Sequence, residues 1–240
     1  MLERTKRSQA DTSYLEARKA FSEKIGKQEL WSVIDQWPLY VGIETLARYM
    51  QIFETLKNCG GNPGHVAEFG SWNGATTMLM AKAMRIMQPR EKRHFHCFDT
   101  FEGLPAGTDE DGLHNAQGGG YAGNLERFQA MIDLYDLGDV ITIHKGRIEQ
   151  TLPAALKDES LYFKFIFLDA DLYEPTKIAL DLCHDRLMLG GGIAFDEWGD
   201  PQWPGETKAA MEFLAKHPGK YRESTMYHVG RPSLLLRKIA

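Results

Sequence analysis

Residues 65–77 read His65-Val-Ala-Glu-Phe-Gly-Ser-Trp-Asn-Gly-Ala-Thr-Thr77, and the fold follows from how this stretch is parsed. A short apolar run ends at Gly70, and from Gly74 the chain continues with helical residues to Met87, stopped by Gln88-Pro89. Strand, glycine turn and helix in that order make one βα unit. The alternation recurs downstream. Arg93–Asp99, Val140–His144, Phe163–Asp169 and Gly190–Asp196 read as strands, Thr176–Leu187 and Thr207–Lys216 as helices, and another helix starts near Leu125. The closing runs Arg222–Val229 and Ser233–Lys238, parted by Gly230-Arg-Pro, read as an antiparallel hairpin. The expectation is an α/β fold with a doubly wound, mostly parallel, seven-stranded sheet and that hairpin at its edge.

Working outward, Leu46, Tyr49, Met50, Phe53 and Leu56 recur at helical spacing, and the break at Asn58–Gly64 ends that helix. Residues 1–40 are charged with scattered apolar positions and read as an N-terminal helical arm before a domain over 41–240. Trp31, Val33, Ile34 and Trp37 in this arm either pair two copies as a homodimer or cover the sheet. Between Asp99 and Leu125 the connection over 102–124 carries Gly103, Gly107, Gly112, Gly118, Gly119, Gly120 and Gly123. A long aperiodic connection in a compact domain is usually a lid or a disordered segment. The lid expectation is that 106–121 becomes ordered when ligands bind.

The chain has 240 residues, 43% hydrophobic and 25% charged, which excludes wholesale disorder and a disulfide scaffold. With 28 basic and 33 acidic residues the net charge is −5, so nucleic acid is not an expected partner. Cys59, Cys97 and Cys183 are widely spaced without a Cys-x-x-Cys pair and read as reduced thiols. No apolar run reaches the length of a membrane span, and no apolar region follows the first charges. A soluble, cytoplasmic protein without membrane contact is expected.

In a doubly wound sheet, ligands sit beyond the carboxyl ends of the strands. At the first end, Gly70 and Gly74 either bring backbone and a helix N-terminus to a ligand or serve a tight turn. Their Gly-x-x-x-Gly spacing differs from the Gly-x-Gly-x-x-Gly of a dinucleotide site. Asp99 closes the second strand, where a carboxylate accepts from ribose hydroxyls or caps a turn. Together the two features favour a nucleoside cofactor. Asp169-Ala-Asp171 and Asp196-Glu197 end the fourth and fifth strands. Either these acids share a hard divalent cation such as Mg²⁺, or they lie on unrelated loops.

These residues resemble the class I S-adenosylmethionine-dependent methyltransferases, whose sheet is Rossmann-like, and within them the macrocin O-methyltransferase family. The resemblance is carried by Glu68-Phe-Gly-Ser-Trp-Asn-Gly-Ala-Thr, Phe98-Asp-Thr-Phe-Glu-Gly-Leu-Pro105, Lys145-Gly-Arg-Ile-Glu-Gln-Thr-Leu-Pro153, Leu168-Asp-Ala-Asp-Leu-Tyr-Glu-Pro-Thr176 and Pro204–Phe213. It implies that Glu68, Gly70 and Ser71 line the methionine and ribose part of S-adenosylmethionine, with Gly74, Thr76 and Asp169 also in the cofactor site. Asp99 then holds the ribose, Thr100 and Phe101 flank the adenine, and Arg147 and Ile148 lie at its far edge. Asp169, Asp196 and Glu197 are implied metal ligands, and Asp171 the general base, with the lid histidine His114 as the alternative base. The chain departs from the family in having Asp196-Glu197 where Asp-Asp is usual.

The implied function is methyl transfer to a hydroxyl of a small molecule, a sugar or other natural product with vicinal hydroxyls, assisted by the metal. Trp198 and Trp203 either wall the acceptor or pack in the core. Two rival functions are a nicotinamide-dependent oxidoreductase on the same fold and a non-catalytic scaffold.

Overall fold

The computed structural model describes residues 15–24, 30–59, 61–87, 95–112, 115, 117–225 and 231–240. Ahead of the sheet come α1 (15–24), α2 (Leu30–Asp35) and α3 (Ile43–Cys59). Then follow β1 (His65–Phe69), α4 (Ala75–Met87), β2 (Phe95–Asp99), α5 (Leu125–Leu134), β3 (Ile141–Lys145), α6 (Ile148–Ala155), β4 (Phe163–Leu168) and α7 (Tyr173–Cys183). The chain continues with β5 (Leu187–Phe195), α8 (Pro204–Lys216), β6 (Tyr221–Thr225) and β7 (Leu234–Lys238).

The strands form one seven-stranded sheet in the order β3-β2-β1-β4-β5-β7-β6. β1 to β5 pair in parallel, whereas β7 pairs antiparallel with both β5 and β6. Every residue of β4, Phe-Lys-Phe-Ile-Phe-Leu, is buried, as a central parallel strand covered on both faces must be. One core lies under α6, α7 and α8 through Leu152, Leu180 and Phe213. The other lies under α3, α4 and α5 through Leu56, Met80 and Phe128. The winding reverses between β1 and β4, so the crevice beyond their carboxyl ends is where this fold binds ligands.

Three details differ from the sequence reading. On α3 the expected apolar face is only partly buried: Leu56 is buried and Leu46 and Tyr49 are half-buried, but Met50 and Phe53 are exposed, while Ile52, Thr55 and Cys59 outside that face are buried. The helix has apolar side chains on more than one side, so periodicity leaves its rotation open and packing on β4 and β5 decides it. The helix expected over Thr176–Leu187 begins at Tyr173 and ends at Cys183; Leu187 opens β5 and pairs with Phe163. α6 has no counterpart in the reading, because its Pro153 is a helix-breaking signal that the burial of Ile148 and Leu152 overrides.

Arg18 of α1 donates two hydrogen bonds to Asp35 at the end of α2, at 2.8 and 2.9 Å. Val33, Ile34 and Trp37 face solvent and do not cover the sheet. Among the described residues no helix is long and apolar enough to cross a membrane.

Candidate active site

A cavity of about 780 Å³ opens beyond the carboxyl ends of β1, β2, β4 and β5, below the glycine-rich connection. Its walls include the glycine turn after β1, Asp99, and the carboxylates after β4 and β5.

The turn is built from backbone necessity. Gly70 has φ +87°, and a Cβ there would lie 1.8 Å from the carbonyl oxygen of Asp169. Gly74, at φ +78°, leaves room for the Phe128 ring and does not line the cavity. Asp99 fixes the turn from the neighbouring strand: Oδ2 accepts from Ser71 N at 2.6 Å and Trp72 N at 2.7 Å, and Oδ1 accepts from Phe101 N at 2.6 Å. Phe101 itself, at φ +59°, turns its ring into the core beside Phe128, with ring centres 6.2 Å apart, and is not part of the cavity wall. Thr76, Thr100, Arg147 and Ile148 are in the wall.

Glu68 is 1% exposed on β1. It accepts hydrogen bonds from the hydroxyls of Thr77 and Ser71, while its Oε1 has no partner. Burial pushes its carboxyl up to about 8.

Asp169, Asp171 and Glu197 each present an oxygen within 4.8 Å of the other two. Asp171 sits in the left-handed region at φ +62°, directly after β4, and this backbone turn keeps it at the cavity. Burial, and then the charge of Asp196, raises its carboxyl to about 7. Asp169 and Glu197 are also pushed well above the usual carboxylate range, first by burial and then by neighbouring carboxylates. Glu197 Oε1 accepts from Arg231 at 3.0 Å, but its buried Oε2 has no partner. Acids that are raised, crowded and partly unpartnered suit a hard divalent cation, which takes oxygen ligands only.

Asp196 is placed differently. Its Oδ1 accepts from Arg48 of α3, and Arg48 also donates to Asp169 Oδ2 at 2.9 Å. Arg48 and Arg231 were not singled out in the sequence. Arg48 is recoverable only once α3 is rotated, because Arg48, Ile52, Thr55 and Cys59 then share one face. Glu206 was also missed; it is fully buried and anchors Glu197 by accepting its N–H at 2.8 Å.

Described residues of the connection, from Gly103 to Ala106 with Thr108, Asp111 and Tyr121, border the cavity. Leu104 and Gly119 form an antiparallel bridge, and a 3₁₀ turn spans Asp109–Asp111. Tyr121 meets Trp72 edge-on at 6.0 Å and Trp203 at 6.2 Å, which makes an aromatic wall from three separate segments. Trp203 thus faces the cavity, whereas Trp198 packs against the α6–α8 core. His114 lies outside the described residues.

Comparison with known proteins agrees with this geometry. A family model described as Macrocin-O-methyltransferase (TylF) matches residues 8–220. The 8-demethyl-8-(2,3-dimethoxy-alpha-L-rhamnosyl)-tetracenomycin-C 4'-O-methyltransferase of Streptomyces olivaceus is 32% identical over 174 residues, 68% of this chain and 64% of that protein. The demethyldecarbamoylnovobiocin O-methyltransferase of Streptomyces niveus is 29% identical over 175 residues, 68% of this chain and 64% of that protein. The match therefore spans just under two thirds of each relative's length. The calicheamicin methyltransferase CalS11 shares the fold, with a TM-score of 0.77 at 24% identity over 95% of this chain and 91% of that one. Because the family model covers most of its length, the chain belongs to the macrocin O-methyltransferase (TylF) family.

Proposed function

We propose that the chain methylates a hydroxyl of a small glycosidic natural product, using S-adenosylmethionine and a divalent cation such as Mg²⁺. The observation that carries the reading is one cavity shared by the Asp99-fixed glycine turn and the Asp169–Asp171–Glu197 cluster. The family membership and the sugar named in the Streptomyces olivaceus relative support the acceptor class.

Glu68, Gly70, Ser71 and Thr76 would line the methionine and ribose part of the cofactor. Asp99 keeps one acceptor site, on Oδ1, after its three backbone contacts and would accept a ribose hydroxyl there. Thr100, Arg147 and Ile148 would border the adenine. Asp169 and Glu197 would hold the cation. When bound, the cofactor supplies an electrophilic methyl group and the cation the positive charge that acidifies the acceptor hydroxyl. Asp171 takes the proton, a role suited to a carboxyl raised to about 7. Trp72, Tyr121 and Trp203 stack on the acceptor's apolar faces, and the connection over 102–124 acts as a lid that excludes water.

The test is turnover of rhamnosylated acceptors with labelled S-adenosylmethionine, with and without a chelator. Methylated product that disappears in chelator and returns with Mg²⁺ is expected. Full turnover in chelator removes the cation from the scheme, and failure to bind S-adenosylmethionine overturns the reading as a whole.

A further inference from the structure

The carboxylates beyond β4 and β5 already hold a cation that belongs to the chain. Arg48 Nη2 donates to Asp169 Oδ2 at 2.9 Å and to Asp196 Oδ1 at 3.0 Å, and Nε reaches the same Asp196 oxygen at 3.3 Å. Nη1 donates to Thr76 Oγ1 at 3.1 Å, and the guanidinium lies over the Phe167 ring, 5.6 Å from its centre. Contacts in several directions hold the planar group in one orientation, and arginine does not lose its proton to vacate a site. The Asp196 side chain is only 4% exposed, so this guanidinium does for it what solvent cannot. On the other side of the cluster, Glu197 keeps a buried oxygen without a partner.

We propose that Arg48 is a built-in counter-cation that divides the carboxylate floor into two halves. One half, Asp169 Oδ2 with Asp196, is held by the guanidinium. The other, Asp169 with Glu197 beside Asp171, is open to a divalent ion through Glu197 Oε2, because Arg231 takes only Glu197 Oε1. Asp196 is then a positioning residue that seats Arg48, and not a ligand. A fixed positive charge close to the ion weakens its binding, because like charges repel strongly where water is scarce. The same charge keeps the acidic floor from repelling itself apart when the ion is away. The inference rests on the metal-assisted reading above and concerns which residues the ion is left with.

Mn²⁺ binding to the full chain, measured by electron paramagnetic resonance without cofactor, tests it apart from turnover. Arg48→Gln is expected to bind Mn²⁺ at least tenfold more tightly than wild type, because it removes the repelling charge and frees two oxygens. Arg48→Lys, which keeps the charge, is expected to stay within about threefold of wild type. Should Arg48→Gln fail to fold, Asp196→Asn and the Arg48→Gln/Asp196→Asn double variant, which lacks both partners, are expected to differ by the same tenfold. Equal or weaker binding when Arg48 is replaced overturns the inference and leaves the metal reading standing. Absence of Mn²⁺ binding in wild type and variants alike overturns both.

Discussion

Asp111, in the middle of the glycine-rich connection, accepts the backbone N–H of Tyr173, the first residue of α7, at 2.6 Å. Its second oxygen accepts from Thr108 N at 2.7 Å and Thr108 Oγ1 at 3.0 Å, and the side chain is 1% exposed. Gly205 at the start of α8 comes so close that a Cβ there would lie 1.9 Å from Asp111 Oδ1. One carboxylate therefore ties the connection to the N-terminal turn of α7 and packs against that of α8.

Asp111→Ala is expected to untie it. Hydrogen bonds to a charged group are worth about 1.5–3 kcal/mol, so local opening of residues 104–112 and 117–121 should become at least about tenfold more frequent. Amide hydrogen exchange reads this directly. Protection as strong as in wild type would mean that Asp111 is not what holds the loop.

At Asp99, replacement by alanine removes the acceptor of three backbone N–H groups as well as the proposed ribose contact. Affinity for S-adenosylmethionine should fall by about 1–3 kcal/mol in calorimetry. Unchanged affinity would restrict Asp99 to bracing the turn.

The pH dependence of stability should carry the mark of Glu68. Its carboxyl is raised to about 8 in the folded chain against an ordinary value of 4.5, so the native state retains a proton that the unfolded chain releases. The associated stability is complete below about pH 4.5 and is lost as the pH rises through 8. Glu68→Gln keeps the shape and cannot ionise. At pH 8 it should be more stable than wild type by about 1 kcal/mol or more, the worth of one pKa unit, with no gain at pH 4.5. Denaturant titration at the two pH values checks the sign, and a gain equal at both would point to packing and not to charge.

For Asp171, burial and Asp196 raise the carboxyl to about 7 without the cation, and a bound cation lowers it, so wild-type kcat/KM should climb with pH at or below pH 7 and level off above it. Asp171→Asn should lose turnover by about 10²–10⁴ and flatten the climb, while Mn²⁺ and S-adenosylhomocysteine still bind. A variant that keeps the wild-type profile would assign the proton to another group.

How much of this could be read from the chain alone depends on the range over which each feature is decided. Strands such as Phe163–Leu168 and the acids that end them are local: an apolar run, then charge, and parallel pairing brings the ends together. Arg48 is different. Nothing near it in sequence marks it, and it meets Asp196 only because α3 packs on β4 and β5 with a rotation that periodicity leaves open. Asp111 stands in sequence between Glu110 and Gly112 like any loop acid, and its partner is the backbone of Tyr173, which no side-chain pattern announces. The ring of Phe101 was expected at the adenine from the family resemblance; its left-handed backbone sends it to Phe128.

The sheet order has a consequence for biosynthesis. β7 lies between β5 and β6, so β6 leaves the ribosome before the strand that joins it to the rest of the sheet. Until residues 234–238 emerge, β5 presents an unpaired edge and β6 has no neighbour. An open edge of this kind is a template for pairing with another chain. A released chain truncated just before Leu234 should thus be prone to pairing through its β5 edge, even though it holds nearly all of the core.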